Sequence, residues 1–102
     1  MPRFRETIPI DDYVIDVLLR DVVGHDRQPA AYLVYLYLYG QAARNGWRPV
    51  QASIRELSEA TGLSKSAVQT ALKTLVYRKL INTKRDGANI APKHRVLRHW
   101  RK

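Results

Sequence analysis

Residues 53–81 read SIRELSEATGLSKSAVQTALKTLVYRKLI, and their spacing decides the fold. Ser53 and Glu56 stand three apart, as a capping box requires: the serine oxygen takes a free helix amide and the glutamate reaches back to the cap. The helix they open runs to about Thr61. Gly62 allows a sharp turn, and Ser64 caps a second helix that extends to about Lys79. Leu57 faces inward from the first helix and Leu63 plugs the turn. Val68, Ala71, Leu72 and Leu75 follow at steps of three and four, which puts them on one face of the second helix. Two short helices joined by a tight glycine turn cross steeply, the geometry of a helix-turn-helix whose second helix fits a major groove. Its other face carries Ser64, Lys65, Ser66, Gln69, Thr70 and Lys73, donors and acceptors with the reach for base edges and phosphates. No acidic residue occurs in positions 64–84.

Upstream, residues 1–10 are polar with two prolines and read as an arm. Asp11 or Asp12 can cap a helix over 11–23, ended by Gly24. Its apolar residues point in two directions, Val14-Leu18-Val22 and Ile15-Leu19-Val23, and only one can face its own core. Ile15, Leu18, Leu19 and Val22, drawn from both rows, with Tyr32 of the next helix, are the candidate contacts for a second copy. Pro29 suits the first turn of a helix over 30–44. That segment is apolar nearly all round, as a central helix is, although Gly40 inside it costs about 1 kcal/mol relative to alanine. Tyr32, Tyr35 and Tyr39 form one stripe on it, expected to pack with wet hydroxyls. Residues 47–50 read as a short edge strand. Downstream, 80–85 is strand-like, Asp86-Gly87 marks a turn, 88–93 is an extended loop and 95–98 the returning strand. The tail from Arg95 to Lys102, with Trp100, can follow a polyanion or fold back on the core.

The chain has 102 residues, one domain's worth, and no cysteine, which excludes disulfides and thiolate chemistry. The longest apolar run, 30–39, falls short of the roughly 18 residues a membrane span needs, and residues 1–6 hold no apolar signal core, so a cytoplasmic protein is expected. Charge is the informative quantity. Residues 1–45 hold five basic and six acidic side chains, whereas 46–102 hold thirteen basic and three acidic. A merely solubilising surface needs no such asymmetry, and a polyanionic partner for the second half is the natural inference. His25, His94 and His99 lie far apart with no carboxylate cluster beside them, so no metal and no cofactor is expected. No phosphate loop or activated nucleophile points to an enzyme.

The run Glu-Leu-Ser-Glu-Ala-Thr-Gly-Leu-Ser at 56–64, with Ser66-Ala67-Val68, Ala71-Leu72 and Leu75, resembles the helix-turn-helix of bacterial winged-helix regulators of the MarR and GntR groups. It also resembles the DNA-binding domains of phage and plasmid replication initiators. The resemblance covers 29–98. It implies a mainly α fold: a winged helix-turn-helix with a three-helix core, an N-terminal helix and a small β-hairpin wing. Residues 1–28 would form an arm and dimerisation helix, 29–98 the winged domain, and 99–102 a basic tail. By the same resemblance Lys65, Ser66, Gln69 and Thr70 match positions that face bases, and Lys73 faces phosphate or base. Lys84, Arg85, Asn89 and Lys93 would touch backbone or minor groove from the wing, and Arg95 on the returning strand is a further expected DNA contact. The wing tip at 87–92 departs from the pattern by holding no arginine.

The function expected is that of a homodimeric, sequence-selective double-stranded DNA-binding protein regulating transcription. A replication-initiator or partition protein would use the same contacts, and a protein-binding winged helix is a further alternative.

Overall fold

The computed structural model describes residues 7–101. An N-terminal helix spans Val14–His25 and is followed by α1 (Pro29–Arg44), β1 (Val50–Gln51), α2 (Ile54–Thr61), α3 (Lys65–Tyr77), β2 (Ile81–Lys84) and β3 (Lys93–Val96). The strands form one antiparallel sheet in the order β1-β3-β2. Four helices with a small sheet carrying a hairpin make this a winged helix-turn-helix.

Helix α1 is the hub. It packs against the N-terminal helix, α2, α3, β1 and β3, which is why its residues are apolar on nearly every side. Ala31, Val34, Leu38 and Ala42 have no exposed surface. Three of its four tyrosines, Tyr32, Tyr35 and Tyr39, are buried, and each hydroxyl meets the chain's own backbone where the stripe suggested water. Tyr32 donates to the Val14 carbonyl at 3.0 Å and Tyr35 to the Leu97 carbonyl at 3.1 Å. Tyr39 accepts the Asp11 amide at 3.0 Å. Each buried phenol thus pins a different chain segment to α1, since an unpaired buried hydroxyl would cost about 1–3 kcal/mol. Burial raises the pKa of both Tyr32 and Tyr35.

The N-terminal helix departs from the expected 11–23. It is a π-helix, with the Asp26 amide still bonded to the Asp21 carbonyl five residues back at 2.8 Å. Gly24 lies within it; the left-handed residue that follows the helix is Arg27, at φ 56°. Neither aspartate caps the helix through its side chain. Asp11 instead receives the Trp100 indole N–H at 2.8 Å and the Arg101 guanidinium at 2.7 Å on each oxygen. Tyr13 stacks on Trp100 with centroids 4.7 Å apart. The tail therefore folds back on the start of the helix. Hydrogen bonds from Arg101 and Trp100 hold the Asp11 carboxyl well below the usual carboxylate range.

Val14, Leu18 and Val22 face the core at no more than 1% exposure, whereas Ile15 and Leu19 are exposed at 48% and 40%. Leu18, Val22 and Tyr32 are thus committed to the chain's own interior, which corrects their assignment to a surface between copies. Residues 1–6 of the expected arm and Lys102 lie outside the described residues. Residues 7–10 run without regular structure, and Ile8 passes over Gly40.

Candidate nucleic-acid interface

The local chemistry of 53–64 builds the turn. Ser53 Oγ accepts the Glu56 amide at 3.0 Å and Glu56 Oε1 accepts the Ser53 amide at 2.8 Å, completing the capping box. Gly62 closes α2 at φ 79°, a left-handed conformation that favours glycine. Thr61 Oγ1 then accepts the Leu63 amide at 3.3 Å. Ser64 Oγ takes the Ala67 amide at 3.1 Å, so this side chain is a helix cap first and a candidate DNA contact second.

Helix α3 buries Val68, Ala71 and Leu75 completely, with Leu72 partly covered. That apolar face fixes its rotation. Lys65, Ser66, Gln69, Thr70 and Lys73 are therefore turned outward, and all five are exposed. The helix stops at Tyr77, two residues before the expected end. Lys79 takes φ 59° and the Leu80 amide bonds the Leu75 carbonyl at 2.9 Å, a helix stop made without glycine. Tyr77 is 85% exposed.

The hairpin is pinned at its base by His94 on the central strand. His94 is fully buried, with Nδ1 2.9 Å from Thr83 Oγ1 and Nε2 3.0 Å from the Ala52 carbonyl. It is a core residue of the sheet. Burial pushes its pKa down, the Ala52 hydrogen bond pulls it up, and Arg85 adds to the depression. Strand β3 begins at Lys93, earlier than the expected 95–98, because Pro92 already holds the Ala52 amide at 3.1 Å.

Strand pairing sets Lys84 opposite Lys93 and Asn82 opposite Arg95. With Ile81, His94 and Val96 facing the core, these four side chains share the outer face of the sheet. Like charges directly opposite oppose folding; here Asp86 offsets one of them at 3.3 Å from Lys93 Nζ.

The sequence-derived DNA-facing residues therefore fall into separate settings. Lys65 and Gln69 border one open groove of about 560 Å³ together with Arg85 and the wing residues 88–92. Lys84, Lys93 and Arg95 lie instead on the outer sheet face. Lys73 borders a different surface groove, with Asp26, Gln28, Tyr77 and Arg78.

Arg55 also lines the α3–wing groove and was missed in the sequence. The signal available was its place two residues after the cap, on the face of α2 opposite Leu57. Part of the basic excess is spent inside the fold. Arg78 pairs with Asp26 and lies 4.0 Å from Asp21, Arg101 holds Asp11, and Arg98 sits 3.5 Å over the Trp47 ring. Lys65, Lys73, Lys84, Arg85 and Arg95 make no ion pair among the described residues.

Among the described residues no cluster of three or more histidine or acidic side chains is placed to hold a metal ion. None of their helices is long and apolar enough to cross a membrane.

A helix-turn-helix set on a hub helix and followed by a hairpin defines the class as winged helix-turn-helix. Residues 48–85 match the family model of the IclR helix-turn-helix domain, a stretch running from just before β1 to the first residue after β2. The match supports the expectation of a bacterial helix-turn-helix domain, with IclR in place of the MarR and GntR groups to which the motif was likened. No curated protein matches the chain.

Proposed function

We propose that the protein is a double-stranded DNA-binding transcription regulator, not an enzyme, which acts by occupying its site. Helix α3 lies in the major groove, with Lys65, Ser66, Gln69 and Thr70 toward bases. Lys73, Lys84, Arg85, Lys93 and Arg95 meet phosphates. The observation that carries this is the division of α3: one face is buried, and the other offers five exposed polar or cationic side chains in a stretch free of acid. The match of 48–85 to the IclR helix-turn-helix domain supports it.

A lone helix-turn-helix reads few base pairs, so two copies related by a two-fold axis give a useful site size. Residues 1–28 supply the contact and 29–98 the DNA-binding unit. Ile15 and Leu19 stay exposed one step of four apart, and Asp12, Asp16 and Arg20 flank them on the exposed side. An antiparallel pair of these helices sets aspartates against arginines.

The test is fluorescence anisotropy with a labelled duplex from about 50 to 300 mM salt. With roughly 4–6 phosphates covered per subunit, log affinity falls against log salt with a slope of about −4 to −5. A flat line overturns the DNA reading. Sedimentation equilibrium gives twice the chain mass, and Leu19→Glu gives a folded monomer with weaker site binding, because an unpaired charge would have to be buried. A monomer bound one-to-one overturns the dimer.

A further inference from the structure

The groove between α3 and the wing has walls of two kinds. Three cations reach it from three places in the fold: Arg55 from the start of α2, Lys65 from the start of α3, and Arg85 from the first position after β2. The other wall is apolar, with Ile90, which is 46% exposed, beside Pro92. Three hydrogen bonds tie that wall to the rest of the fold. Arg85 donates to the Ile90 carbonyl at 3.3 Å, Gln51 to the Ala91 carbonyl at 3.1 Å and the Ala52 amide to the Pro92 carbonyl at 3.1 Å. A trench with cations along its rim and a fixed apolar side matches a sugar–phosphate strand, whose phosphates are anionic and whose sugar carbons are apolar.

Arg55 differs from the other two cations. Its Nε lies 3.2 Å from Glu59 Oε2, one helical turn on, and both side chains are largely exposed. Such a pair is weak, so a phosphate can replace the carboxylate.

Building on the duplex-binding reading above, we propose that this groove seats one sugar–phosphate strand of the duplex. Arg55 is a phosphate contact that Glu59 competes for in the free protein, and Ile90 is the wall against the sugars. Arg55 then contributes to affinity without contributing to sequence choice, and Glu59 sets how much of that affinity is realised.

The experiment is anisotropy with a fluorescein-labelled duplex of mixed sequence, across the same salt series, on the full chain. Arg55→Ala is expected to weaken binding and make the salt slope shallower by about 0.9. Glu59→Gln should tighten binding about two- to fivefold. In the Arg55→Ala background, Glu59→Gln should do nothing, because the competition it relieves no longer exists. Ile90→Ala should weaken binding with the salt slope unchanged, since an apolar contact releases no counterions. All three side chains are exposed, so circular dichroism and melting should report an intact fold. If Glu59→Gln tightens binding as much without Arg55 as with it, the effect is general charge and the inference falls. If Arg55→Ala leaves affinity and slope unchanged while the wild type binds steeply, the inference falls and the DNA reading stands. If the wild type binds no duplex at low salt, both fall.

Discussion

Gln69 and Lys84 differ in setting, and the difference makes them separable. Gln69 sits on the exposed face of a helix whose rotation is fixed by buried Val68 and Ala71, whereas Lys84 stands on the outer sheet face opposite another lysine. Gln69→Ala should cost about 1–3 kcal/mol on the preferred site and little on random duplex. Lys84→Ala should weaken both alike, because a phosphate contact carries no sequence information. Equal losses on both duplexes for Gln69→Ala would move that residue to the backbone class. Gly40 illustrates a different residue-scale point. Alanine there would place its Cβ in ordinary contact, 3.6 Å from Ile8 Cδ1. Gly40→Ala should therefore stabilise the protein by about 0.5–1 kcal/mol, read as a rise in melting temperature. Such local features were legible in the sequence: the Ser53–Glu56 box, the left-handed Gly62 and the Ser64 cap all form as their spacing requires. The left-handed backbone at Lys79 was not, because a lysine there carries no turn signal; the buried Leu80 follows it directly.

At the scale of elements, the wing's base depends on one neutral imidazole. His94 joins β3 to Thr83 on β2 and to the Ala52 carbonyl just past β1. Burial is the chief cause that lowers its folded pKa below that of a free imidazole. The unfolded chain therefore binds a proton first as pH falls, and stability drops. The contribution is fully present above the unfolded pKa and is lost toward the lower folded one. Melting temperature should decline as pH falls below the range where a free imidazole titrates, and His94→Gln should flatten that decline while lowering stability at neutral pH. A decline unchanged in His94→Gln would place the titration elsewhere. The sequence reading left this histidine outside the returning strand because the strand-like stretch 95–98 drew that strand two residues late. Alternation over so few residues does not set register; the Pro92 carbonyl and the Thr83 hydroxyl do, and both are tertiary contacts. The N-terminal helix was misread for the same kind of reason. Which of its two apolar rows faces inward depends on α1, and the inward row is Val14, Leu18 and Val22.

Across the whole molecule, the uneven charge of the two halves is partly reconciled inside the fold. Asp26 takes Arg78 and Asp11 takes Arg101, so acids of the first half serve as counterions for bases of the second. These pairings span 52 and 90 positions, beyond the reach of any local pattern. The Asp11 clasp has a kinetic consequence. Contacts of such long separation close almost the entire chain into a loop, and loop closure is paid for before the contact rewards it. A bond of this kind is therefore expected to form after the rate-limiting step of folding. Trp100→Phe removes the indole N–H from Asp11 while leaving a ring for Tyr13 to stack on. Losing about 1 kcal/mol there should speed unfolding roughly fivefold and leave the folding rate unchanged. In stopped-flow measurements only the unfolding limb of the chevron should move. A slower folding limb would mean that the two ends of the chain meet early, and that the hub helix is assembled around a closed ring rather than closed into one.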